Sequence, residues 1–82
     1  MNREQIKEKL IYLIRNAVSD WYTGPVTEET TMQDMACDSL DAIELQVIIE
    51  KAFNISPDDR VWDSTNNIGE WIDLVYSLTK NQ

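Results

Sequence analysis

A chain of 82 residues, 43% hydrophobic and 27% charged, is long enough for one small folded domain over 1–82 and too apolar for a disordered acidic tail. Its net charge of −8 repels nucleic acid, and the absence of histidine beside a single cysteine, Cys37, excludes a zinc cluster and an internal disulfide. No apolar run approaches a membrane span, and Met1 is followed by charged, amphipathic residues rather than an apolar h-region, so no signal peptide is read and a reducing cytoplasm is the expected compartment.

The first element is a helix. Ile6, Leu10, Leu13, Ile14, Ala17, Val18 and Trp21 recur at steps of three and four, which predicts an amphipathic helix over about 2–18. Gly24 and Pro25 break the pattern, and residues 22–37 read as a long ordered loop with one helical turn near Thr31 to Met35. A loop of that length in so small a domain invites a functional explanation. Residues 39–53 lack Gly and Pro and form the second helix, with Asp38 and Ser39 offering capping oxygens at its start. Ser56-Pro57-Asp58-Asp59 predicts a short helix to about Trp62, with Ser56 as its cap and Pro57 in its first position. Asn66 or Asn67 caps the last helix, whose stripe is Ile68, Trp71, Ile72, Val75 and Leu78. No strand pattern is present, so the fold class is all-α: a small bundle of three main helices and one short one.

The second helix carries apolar residues on two faces. With Leu40 at zero and about 100 degrees per residue, Leu45, Ile48, Ile49, Ala52 and Phe53 occupy an arc facing the core, while Leu40, Ile43 and Val47 lie on the opposite side. Asp41, Glu44 and Glu50 flank that second stripe. It reads either as a docking ridge for a partner with an apolar groove and basic rim, or as the mark of a central helix touched on both sides. The charge is equally uneven. Residues 28–59 net −8 while residues 1–20 net +1, which either attracts a basic protein surface or is a solvated face.

Ser39 stands where the polar loop meets the second helix, in Asp34-Met35-Ala36-Cys37-Asp38-Ser39-Leu40-Asp41-Ala42-Ile43-Glu44-Leu45. The segment resembles the prosthetic-group site of acyl carrier proteins, and the order of helices and loops resembles that family over nearly the whole chain, at the length of a free-standing carrier. The resemblance implies that Ser39 is esterified by 4′-phosphopantetheine, donated from coenzyme A by a phosphopantetheinyl transferase, and that the arm's thiol carries acyl groups as thioesters. A phosphodiester suits a helix N-terminus, where N–H groups are free. A catalytic serine does not suit this chain, which has no histidine base and no Ser-x-x-Lys pattern.

By the same resemblance, Asp38, Leu40, Asp41, Ile43, Glu44, Val47 and Glu50 match positions that dock acyl-transferring or condensing enzymes with basic surfaces, and the carrier acts as a monomer. Leu45, Ile48, Ile49, Phe53, Ile55, Ile68, Trp71 and Ile72 are the expected lining of an acyl cavity. The chain departs from the pattern in several places. Many carriers have glycine where Ala36 stands, and fatty-acid carriers commonly have an acid where Lys51 stands. They often keep a small residue facing the cavity where Trp71 stands, so Trp71 either narrows the cavity or packs the core. Cys37 either fills a tight turn or is a thiol without an activating cation. The chain is expected to be a carrier rather than an enzyme, serving fatty-acid, polyketide or specialised lipid synthesis. The alternatives are an acidic helical adaptor without a prosthetic group, or a peptidyl or aminoacyl carrier. No metal is expected: Asp63, Thr65 and Asn67 alternate as in calcium loops, but Gly69 comes one place late and the closing glutamate is missing.

Overall fold

Four helices account for the regular structure in the computed structural model, which describes residues 1–80: α1 (Arg3–Val18), α2 (Ser39–Phe53), α3 (Asp59–Asp63) and α4 (Ile68–Thr79). There is no strand among the described residues. The all-α class and the division into three longer helices and one short one are as the sequence predicts.

Each helix starts where a short polar side chain takes up a free N–H. Asn2 and Gln5 form a reciprocal capping box on α1, and Asp38 and Asp41 form another on α2. Asn67 Oδ1 accepts from Glu70 N at 2.9 Å to cap α4. The short helix differs from expectation. Asp58, not Ser56, is its cap, with Oδ1 accepting from Arg60 N at 2.8 Å, so Pro57 precedes the helix instead of opening it. That bond and the Arg60 guanidinium lower the Asp58 carboxyl below its usual range.

The core is built from the faces that periodicity selects. Ile6, Leu10, Ile14 and Val18 of α1 are buried against Leu45, Ile49 and Phe53 of α2 and Ile68, Ile72 and Val75 of α4. α1 packs against both of the other long helices. Two stripe members leave this set. Leu78 is exposed, and Trp21 lies beyond the last turn of α1, where it is exposed yet donates its indole N–H to Met35 O at 2.9 Å.

The loop between α1 and α2 is tied down along its length. Glu28 O accepts from Gly69 N at 2.7 Å and Thr30 O from Ile68 N at 3.0 Å, so the loop backbone satisfies the free donors at the start of α4. A Cβ on Gly69 would sit 3.1 Å from both Glu28 Cβ and Glu28 O, so a larger residue there would press the loop back by a few tenths of an ångström. The Glu28 carboxylate is held by Arg3 at 2.7 Å and Lys7 at 3.2 Å, and Arg3 also reaches Asp73 at 2.8 Å. Those hydrogen bonds, Arg3 first, hold the Glu28 carboxyl at about 2 and raise the Arg3 guanidinium further above its ordinary value. Further along, Thr31 and Asp34 cap each other reciprocally around the expected helical turn. That turn ends as helices often do: Cys37 N donates to Met32 O at 2.9 Å and Ala36 N to Gln33 O at 3.0 Å, with Ala36 left-handed at φ 55°.

Candidate functional site

The end of that turn aims the chain into α2 and sets Ser39 at the helix's first position, one residue inside the Asp38 cap. Ser39 is exposed, and its hydroxyl takes no hydrogen bond among the described residues. Asp38 Oδ1 accepts from Asp41 N at 2.9 Å, and Asp41 Oδ2 accepts from Asp38 N at 3.1 Å. The two carboxylates beside the serine are therefore spent on the helix start, and neither hydrogen-bonds the hydroxyl, so the serine has no base. A group esterified to Ser39 would be free to extend into solvent beside the positive end of α2.

Cys37 is half-buried with its Sγ 3.9 Å from Met35 O. Burial, then the charges of Asp41 and Asp38, push its thiol above the ordinary value. It is a filler of the turn, held protonated, rather than an activated nucleophile.

The two apolar faces of α2 separate by burial. Leu40, Ile43 and Val47 are 71%, 54% and 39% exposed, while Leu45, Ile49 and Phe53 are buried and Ile48 is half-buried. Asp38 and Glu44 are exposed beside the outer stripe and Asp41 is half-buried. Glu50 is turned differently: its Oε2 accepts the indole N–H of Trp62 at 3.0 Å, which ties α3 to α2. Lys51 is exposed next to it.

Trp62 and Trp71 are the centre of a group that periodicity does not reveal. They are 2% and 3% exposed and meet edge to face, with ring centroids 5.0 Å apart. Trp71 Nε1 donates to Thr65 Oγ1 at 2.7 Å, and the same hydroxyl donates to Trp62 O. With the Trp62 indole on Glu50 and the Trp71 indole on Thr65, both buried N–H groups are satisfied. The alternation of Asp63, Thr65 and Asn67 resolves into three separate tasks: Asp63 ends α3, Thr65 bridges the tryptophans and Asn67 caps α4.

Above the pair lies an open cleft of about 250 Å³. It is lined by Ala42 and Gln46 of α2, by Thr65 and Asn66 of the segment between α3 and α4, and by the two tryptophans. Of the residues expected to line an acyl cavity, Trp71 reaches this cleft, while Phe53 and Ile55 border two clefts elsewhere on the surface. Leu45, Ile49, Ile68 and Ile72 are packed in the core. No signal in the sequence marks this cleft, because its polar residues sit in linkers and on the flank of α2.

The model of the phosphopantetheine attachment site family matches residues 13–75. The mitochondrial acyl carrier protein of Saccharomyces cerevisiae is 42% identical over 81 residues, covering 94% of this chain and 65% of its own length, so this chain spans about two thirds of that relative. An acyl carrier protein of Porphyromonas gingivalis is 31% identical, with 87% of this chain and 91% of the relative covered. One from Guillardia theta is 29% identical, with 92% and 93% covered. The family's covalent cofactor fits an exposed serine hydroxyl that is free of internal hydrogen bonds at a helix N-terminus. With nearly the whole chain aligned and the attachment-site model spanning both α2 and the loop that delivers it, the chain belongs to the acyl carrier protein family, whose members bear a covalent 4′-phosphopantetheine and are carriers rather than enzymes.

Proposed function

We propose that Ser39 is the attachment point, and that this chain carries acyl intermediates as thioesters on the arm and presents them to enzymes of fatty-acid, polyketide or specialised lipid synthesis. The observation that carries the reading is the state of Ser39: exposed, first in α2, with its hydroxyl free and no base in contact. In the loading step the serine oxygen bonds to the pantetheine-side phosphorus of coenzyme A. The pyrophosphate bond breaks, adenosine bisphosphate leaves, and the serine proton passes to a base of the transferase. The chemistry after loading is that of the arm and the partner.

Partners dock on the outer face of α2. Leu40, Ile43 and Val47 supply apolar contact, and Asp38, Asp41 and Glu44, with the half-buried Glu50 adding its charge while it holds the Trp62 indole, supply charge for a basic rim on the phosphopantetheinyl transferase and on acyl-transferring or condensing enzymes. The carrier works as a monomer. A reducing compartment, the cytoplasm, suits its free thiol. Incubation with coenzyme A and a broad-specificity transferase should add one phosphopantetheinyl group by intact-mass measurement, and Ser39→Ala should abolish the gain. A wild-type chain that gains nothing, as a simple adaptor would, or a variant that still gains it, rejects the assignment.

A further inference from the structure

The cleft beside α2 differs in chemistry from a shelter for an alkyl chain. Ser39, Ala42 and Gln46 follow steps of three and four, so they share one face of α2, and the cleft begins about one turn along from the serine. Its lining includes Gln33, Gln46 and Asn66, whose side-chain amides make no hydrogen bond among the described residues and so have donors and acceptors to offer an occupant. Asp63 is its one carboxylate, which disfavours an anionic occupant. Its volume of about 250 Å³ lies below the roughly 300–1,000 Å³ of ordinary small-molecule pockets, enough for a small group.

Trp62 and Trp71 are the most deeply buried of the cleft's lining residues, packed against each other in the core, and each indole N–H is held, one by Glu50 and one by Thr65. A long alkyl chain would have to push the paired aromatic rings aside and strand two buried N–H donors. We propose that the arm's cargo in this carrier is a short, neutral acyl group bearing hydrogen-bonding substituents, which rests in the polar cleft, and that the tryptophan pair bars long saturated chains from the core. This rests on Ser39 as the attachment point and deepens that reading by naming the cargo.

The test compares β-hydroxybutyryl and octanoyl groups loaded on the isotope-labelled carrier. The readouts are the side-chain amide resonances of Gln46 and Asn66, the indole resonances of Trp62 and Trp71, and the melting temperature. The hydroxybutyryl form should shift the amides, and Gln46→Leu should reduce the shift that remains to be read at Asn66. The octanoyl form should leave the indoles unmoved and the melting temperature at the value of the unloaded arm. In Trp71→Leu, which removes the indole while keeping an apolar side chain, octanoyl should gain a stabilising effect that it lacks in the parent. Octanoyl that displaces both parent indole resonances and raises the parent melting temperature overturns the proposal, as does hydroxybutyryl that moves no cleft amide. Intact mass is read first, so a chain that takes up no arm counts against Ser39. The cleft is then read with the free N-acetylcysteamine thioesters of the same two acyl groups, under the same criteria.

Discussion

Ala36 holds a conformation that suits glycine. At φ 55° its Cβ crowds the backbone, a cost of about 1–2 kcal/mol that glycine avoids. The loop has kept the turn and accepted the strain. Ala36→Gly should therefore stabilise the fold by about 0.5–1 kcal/mol, the relief less the entropy of a freer unfolded chain, as read by thermal or urea unfolding. An unchanged or lower midpoint would show that the turn relaxes around alanine at no cost. Asn54 occupies the same region at the end of α2 with φ 55°, where asparagine is better tolerated. Ala36 could be suspected beforehand through the family resemblance, since many carriers have glycine at that place. The sequence does not contain the tryptophan pair. Trp71 reads as core by pattern, but its contact with Trp62, and Thr65 between them, depends on how the linker from α3 to α4 bends.

At the scale of elements, the long loop is a strap with two anchors rather than a free segment. One is the backbone pairing of Glu28 and Thr30 with the start of α4, and the other is the grip of Arg3 and Lys7 on the Glu28 carboxylate. The pH consequence follows from the sign of the shift. Glu28 is held at about 2 in the fold against an ordinary 4.5, so the folded chain favours the ionised form. Its contribution is complete above the ordinary value and is lost as pH falls through the folded one. Glu28→Gln should lower the melting temperature at neutral pH, and the gap between variant and parent should narrow from about pH 4.5 and close near pH 2. A gap that persists to the lowest pH would assign the loss to packing instead. The helices themselves are legible because caps and apolar spacing are local. The strap is not, because Glu28 stands 25 residues from Arg3, its carbonyl meets Gly69 of α4, and nothing along the chain announces either pairing. The misplaced start of α3 has a local cause: Ser56 and Asp58 are both competent caps, and the aspartate captures the Arg60 N–H.

Across the whole molecule, the apolar residues divide between a core that includes one side of α2 and a stripe that the bundle leaves open. Because Leu40, Ile43 and Val47 are already exposed, replacing all three with Gln should change stability by less than about 0.5 kcal/mol per site. The same triple variant should raise the transferase KM for the carrier by roughly tenfold or more if the stripe is the docking surface. An unchanged KM would leave the stripe without that role. The two faces could be read from the helical wheel, since each follows from residue order alone. Which face meets a partner could not, because that depends on what the other helices cover. The paired tryptophans also make the molecule its own optical instrument. Two indoles in a dry, edge-to-face couple absorb polarised light as one chiral chromophore, and Trp21, out in water, emits apart from them. Near-ultraviolet dichroism therefore follows the ground beneath the cleft, while the red edge of the emission follows the strap that delivers Ser39, and both can be watched in one unlabelled sample as the arm is loaded.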